Sequence, residues 1–235
     1  MLARHRLALA TALSAALFLS ACGVTPYSGV RPRPATTIGA KDAKAAELLK
    51  GLRAADAQLK TLSATASFWE TDGQKEGDHA AEIVIAKPGQ IGAKIVKSTD
   101  AMKRGVKLVY LNDGKVRAKL GFIKKTFDYD DATVTSLRGW RIDQTNFESI
   151  VAGILHPQAS VKALGPTTVG GHAAQLLEVV SPGMLPGATK QVVALDAKRH
   201  VPLKLEVFDG AKVVYRLELT NVQLNPQLPK DAFKL

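Results

Sequence analysis

One cysteine in 235 residues, Cys22, leaves this chain no disulfide partner and hence no disulfide framework. Aromatic residues are scarce, at 6% against 46% hydrophobic residues overall, so a core must be filled mainly by Leu, Val, Ile and Ala. The apolar stretch from Leu7 to Leu19 falls far short of the ~20 residues that a helix needs to cross a bilayer. Blocks of about five or six like charges are missing as well. The excess of 32 basic over 21 acidic residues is instead spread along the chain.

Catalytic signatures are absent too. His79, His156, His172 and His200 follow no metal-ligand spacing, and none belongs to an H-E-x-x-H pattern. There is no G-x-S-x-G elbow to present a nucleophile. Gly89 to Lys94 is too short for a phosphate loop, with no helix after it. Asp128, Asp130 and Asp131 cluster without the Gly and distal Glu of a calcium loop, which makes them a solvated turn. The expectation is a protein that is not an enzyme and carries no cofactor and no metal.

What is present begins at the N-terminus. Arg4, His5 and Arg6 precede the apolar stretch, and Leu19-Ser20-Ala21-Cys22-Gly23 closes it with small residues before the cysteine. This layout resembles the bacterial lipoprotein class. The resemblance implies removal of residues 1–21 as a signal peptide and acylation of Cys22, which becomes the first residue. Two or three buried acyl chains hold a protein on a membrane far more firmly than one. In a host with two membranes, Gly23 in place of Asp points to the outer one, with the domain facing the periplasm.

Loss of residues 1–21 lowers Lys plus Arg from 32 to 30 against 21 acids, a net charge of +9. Export argues against nucleic acid as the partner of that charge. Anionic lipid headgroups and plain solubility both account for it. Residues 22–40 then form a tether with Pro26, Gly29, Pro32, Pro34 and Gly39, too poor in large apolar residues to build a core. Residues 41–235 are long enough for a single domain with a sizeable core.

Within that domain Ala45, Leu48, Leu49, Leu52, Ala55, Leu59 and Leu62 recur at helical spacing and predict an amphipathic helix over 42–62. The period then changes to two. Strands are predicted at 63–70, 80–87, 91–97, 106–112, 115–122 and 126–129, with turns at Lys87-Pro88-Gly89 and Asn112-Asp113-Gly114. A second helix over 143–155 shares Phe147, Ile150, Val151, Ile154 and Leu155 on one face and stops before Pro157. Further strands follow at 159–165, 173–180, 191–196, 202–208 and 212–224. About eleven strands and two helices make this a mainly β, α+β chain: one strongly curved antiparallel sheet, an incomplete barrel, with the helices covering its concave face.

The stretch Leu195 to Gly210, in which Asp196 ends one strand and Pro202 opens the next, resembles the strand-turn-strand signature of the periplasmic lipoprotein carrier LolA and its lipid-anchored receptor LolB. Val222-Gln223-Leu224-Asn225-Pro226 and Asp231-Ala232-Phe233 are similar to that family's ending, and Ser63 to Phe68 sits where its first strand starts. Residues 106–140 also look like bacterial envelope proteins of unknown function with this architecture. The resemblance implies an incomplete barrel with an apolar cavity for acyl chains.

Such a site needs a dry concavity and almost no directed hydrogen bonds, so its candidates are apolar residues beyond a minimal core. Phe68, Trp69, Trp140, Phe147, Ile150, Val151 and Ile154 are those candidates. Met184 and Leu185 sit between Pro182-Gly183 and Pro186-Gly187, where turns are normally polar, and are the candidates for a loop that touches lipid or gates the cavity. Two functions follow. One is a lipid-anchored envelope protein that binds acyl chains or lipoproteins and passes them on. The other is a non-transporting envelope adaptor or stress sensor with a collapsed cavity and a protein partner.

Overall fold

The computed structural model describes residues 43–235, and the signal, the lipidation site and the tether read at 1–40 lie outside them. Helix α1 (Ala43–Gln58) buries Ala45, Leu48, Leu49 and Leu52, the stripe that the spacing predicts. It stops four residues before the predicted end. Leu59 still returns its N–H to the Ala55 carbonyl, but the N–H groups of Lys60 and Thr61 are captured by Asn225 Oδ1 at 2.7 and 3.2 Å, and the chain turns into a strand.

Eleven strands follow: β1 (Thr61–Thr71), β2 (Glu76–Ala86), β3 (Gln90–Ser98), β4 (Lys107–Tyr110), β5 (Lys115–Leu120), β6 (Ile123–Asp128), β7 (Ser160–Val169), β8 (His172–Val180), β9 (Lys190–Asp196), β10 (Pro202–Asp209) and β11 (Lys212–Leu224). All pair antiparallel in one sheet ordered β6-β5-β4-β3-β2-β1-β11-β10-β9-β8-β7. The meander runs outward from β1 to the β6 edge. The chain then crosses to the other edge at β7 and returns inward to β11, which pairs with β1. The edges β6 and β7 are not joined, so the sheet is open.

Of the boundaries that differ from the sequence reading, three have local reasons. β2 starts at Glu76 because Asp72 Oδ1 accepts the N–H groups of Gln74 and Lys75 at 2.8 and 2.7 Å and closes a tight turn early. β7 runs on through Gly165 and Pro166. The register shifts there, Gly165 has φ of 112°, and an edge strand tolerates the missing proline N–H. The second helix is broken into α2 (Ile142–Thr145) and α3 (Phe147–Ile154) by Asn146, whose extended backbone lets its side chain cap α3 through the Ser149 N–H at 2.8 Å.

The contiguous core joins α1, α3, β1 and β7 to β11, with Leu62, Val151, Ile154, Leu177, Leu195, Leu203 and Leu205 among its most deeply buried residues. All of it lies within the described residues. The outer wing contributes less: Ile95, Val109, Tyr110 and Val116 are buried apart from it. Residues 225–235 cross the wing's outer face. The Ala232 carbonyl oxygen lies 2.5 Å from where a Cβ on Gly92 would be, so only glycine fits beneath this crossing.

Candidate functional site

The concave face is covered by α3 and the segment before it. α3 is fixed at its N-terminal end by the Asn146 cap and by Glu148 Oε1, which accepts the Gly89 N–H at 2.6 Å. Beneath it Phe147 and Ile150 face Ile85, Leu203, Leu205, Leu217 and Leu219 across a seam of about 30 Å³. Pro202 and Lys204 complete the wall. The seam is room for about a water or two, well below the ~300–1,000 Å³ of an ordinary ligand site.

The predicted cavity residues therefore divide. Phe147 and Ile150 line the seam. Val151 and Ile154 share their helix but are wholly core, at 2% and 0% exposure. Phe68 is half-buried, packs against the core, and stacks at a tilt on the His79 ring with centroids 5.0 Å apart.

Trp69 does not belong with these residues. Successive strand residues point to opposite faces, so Phe68 and Trp69 cannot both face the concavity. Trp69 lies on the outer face under the Arg216 guanidinium at 5.1 Å, with its indole N–H 3.4 Å from Glu76.

Trp140 is buried but tied elsewhere. Its indole N–H donates to the Pro186 carbonyl at 3.0 Å and its ring meets Tyr215 edge-on at 5.9 Å. That bond draws in the loop after β8. Gly183 packs against α3 so closely that a Cβ on Gly153 would stand 3.0 Å from its carbonyl oxygen. Leu185 is consequently buried in the core and Met184 is half-buried, so the apolar pair does not form an exposed tip.

A polar group closes the other end of the concave face. Glu70, His79, Ser98 and Tyr215 are all buried. Burial pushes the Glu70 carboxyl above its ordinary range, against the opposing pull of the Leu137 N–H and the Ser136 hydroxyl. Burial, aided by the Lys103 charge, pushes His79 down. The Tyr215 phenol is pushed up by burial and by the Glu70 charge. His79 Nδ1 and Ser98 Oγ are 2.8 Å apart, and the same hydroxyl accepts the Asp100 N–H at 3.0 Å. Both side chains are buried at the β2–β3 end, where their hydrogen bond satisfies polar groups that would otherwise be buried unpaired.

The sequence reading missed the most exposed apolar residue of the described chain, Phe122, at the β5–β6 turn. The alternation carries a strand through Phe122, whereas Gly121, with φ of 58°, turns the chain one residue earlier. Leu120-Gly121-Phe122-Ile123, apolar on both sides of a turn glycine, was the available signal. Among the described residues no helix is long and apolar enough to cross a membrane.

No protein-family model matches the chain, and no curated protein matches it. Solved structures do. MucB is 16% identical, with 84% of this chain aligned to 64% of that one at a TM-score of 0.51. This chain thus spans less than two thirds of MucB. An uncharacterized conserved protein from Thermus thermophilus is 12% identical over 82% of this chain and 93% of its own, at a TM-score of 0.50. The lipoprotein LppX of Mycobacterium tuberculosis is 13% identical over 80% and 98%, at 0.48. The likeness is one of fold: an open, curved, mostly antiparallel sheet with few helices.

Proposed function

We propose that this chain is a membrane-anchored envelope lipoprotein that holds the acyl chains of a lipid or lipoprotein against the concave face of its sheet, under α3. The supporting observation is the seam itself. Phe147 and Ile150 meet Ile85, Leu205, Leu217 and Leu219 across a wall almost free of polar atoms, and the cover is an eight-residue helix. Acyl chains need such a wall and no directed polar contact. Entry requires α3 to lift, because the closed seam is about 30 Å³.

The anchor in this reading is acylated Cys22, with the domain held at the outer membrane on its periplasmic side. The tether of residues 22–40 gives it reach, and a role in lipid or lipoprotein trafficking follows from an anchored domain that takes up acyl chains. No catalytic step, cofactor, metal or nucleic acid enters it.

The small volume of the seam favours a second reading, an envelope adaptor or stress sensor that keeps the fold and carries nothing. Native mass spectrometry separates the two. The Cys22→Ser protein, purified without detergent from an envelope-expressing cell, should retain a stoichiometric acyl species. A bare protein that also leaves a fluorescent fatty-acid probe unshifted would establish the adaptor reading instead.

A further inference from the structure

At one end of the wing the β5–β6 turn and the 3-10 turn Ala101–Lys103 come together. Lys107 of β4 pairs with Lys119 of β5, and a Cβ on Gly105 would stand 3.8 Å from Leu120 Cδ1. Four large apolar side chains are exposed there: Phe122 at 94%, Met102 at 78%, Ile123 at 53% and Leu120 at 44%. The Gly121-Phe122 pair is a two-residue loop with glycine first, which fixes the tip in a short rigid hairpin.

Cations surround these residues. Lys103, Arg104, Lys107, Lys119, Lys124 and Lys125 all lie within a few positions of the four apolar ones. The acids around them are engaged or buried. Asp100 caps the 3-10 turn through the Met102 N–H at 3.0 Å. Asp113 and Asp128, at the far end of the β5–β6 hairpin, pair with Arg117 and Lys115. Glu70, which the Lys103 charge reaches, is buried. Among the described residues Lys103, Arg104, Lys107, Lys119 and Lys125 have no carboxylate partner within ion-pair distance. Lys124 donates to the Leu235 carbonyl at 2.7 Å.

We propose that this tip is a membrane-docking element, which places Phe122 and Met102 among the headgroups of an anionic bilayer surface while the surrounding cations pair with phosphate. Charge complementarity selects this occupant. An apolar point ringed by long basic side chains matches an interface where the apolar group sinks and the amines stay at headgroup level. A second copy of the chain would set two cationic rings against each other. The inference does not depend on the seam under α3, since it concerns how the domain meets the membrane and not what it carries.

Residues 41–235, which hold the whole sheet and its core, test it by co-sedimentation with vesicles. Binding to phosphatidylcholine containing about one third phosphatidylglycerol should exceed binding to phosphatidylcholine alone by more than about tenfold, and should fall with salt. Phe122→Ser should weaken it about tenfold. Lys103→Gln with Lys107→Gln and Lys119→Gln should bring it near the neutral-vesicle level, at roughly fivefold per cation. Unchanged melting would show that each variant is folded, and the salt series on the unaltered domain stands without any variant. Equal binding to both vesicles, or a Phe122→Ser variant that binds like its parent, would overturn the proposal. So would concentration-dependent self-association lost in Phe122→Ser without vesicle binding, which would make the tip a contact between copies.

Discussion

The carboxylate of Glu70, buried on β1, accepts the backbone N–H of Leu137 at 3.0 Å across 67 positions of chain. This bond pins the segment between β6 and α2 to the concave face, at the expense of burying an acid. Burial raises the Glu70 pKa above its ordinary 4.5 despite the donors around it. An acid raised on folding is best tolerated while protonated, so its stability contribution is present below about pH 4.5 and is lost as pH rises through the folded value. Glu70→Gln keeps an acceptor for Leu137 without the charge. It should melt above the parent near neutral pH and level with it at about pH 4.

Asp196 has the opposite sign. Burial alone would raise its pKa, but the N–H groups of Arg199 and Lys198 at 2.8 and 2.9 Å and the Arg199 guanidinium outweigh it and hold it below 3.8. A depressed acid stabilises the fold above its unfolded pKa and loses that contribution as pH falls through the folded one. Asp196→Asn should therefore cost about 2 kcal/mol near neutral pH. Urea unfolding in acid should show the parent converging on the variant below about pH 3.8.

The eleven strands were legible because period-two alternation and turn residues such as Asn112-Asp113-Gly114 are local signals, and the sheet's open curve follows from their number. Helix α1 was legible from Leu48, Leu49 and Leu52 for the same reason. Its end was not, because the groups that stop it belong to Asn225, some 165 positions away. The division of candidate residues between cavity, core and outer face was also hidden. Trp69 could have been set aside on alternation alone, but Leu185 is buried by a close approach of Gly183 to Gly153 that no local pattern encodes. Phe122 was lost to a strand drawn two residues past Leu120, where β5 ends.

Asn225 itself invites a measurement. Its side chain accepts from Lys60 and Thr61 and donates to the Gln58 carbonyl at 3.1 Å, while its own backbone holds φ of 54°. It thus clasps the end of β11 to the α1–β1 junction with both its amide and its conformation. Asn225→Gly keeps the conformation and loses the bonds, and should cost about 1–2 kcal/mol. Asn225→Ala loses both and should cost about 1 kcal/mol more in chemical denaturation. Equal costs would mean that the left-handed backbone relaxes.

The crossing of residues 225–235 over the wing depends on Gly92. Any Cβ there would meet the Ala232 carbonyl oxygen at 2.5 Å and a Val84 methyl at 2.8 Å, and neither is the far end of a flexible chain. Gly92→Val should lift the crossing, cost about 1–3 kcal/mol, and uncover Val109, which is 3% exposed beneath it. Limited proteolysis should then trim the C-terminal segment of the variant faster than that of the parent.

The seam under α3 gives the sharpest functional contrast because volume can be changed there in both directions. Ile150→Ala removes three carbons beside a space of about 30 Å³. It should destabilise the fold by about 2–4 kcal/mol and leave a larger apolar void. Ile150→Phe overfills the same space and should cost about 1–3 kcal/mol. Both variants lose stability, so stability alone cannot order them. If acyl chains enter beneath α3, affinity for a fluorescent fatty acid should rise in Ile150→Ala, where the void offers a foothold, and fall in Ile150→Phe. Equal affinities for parent and both variants would place acyl binding away from this seam, because loosening α3 and filling the space beneath it act in opposite directions only on a ligand that lodges there.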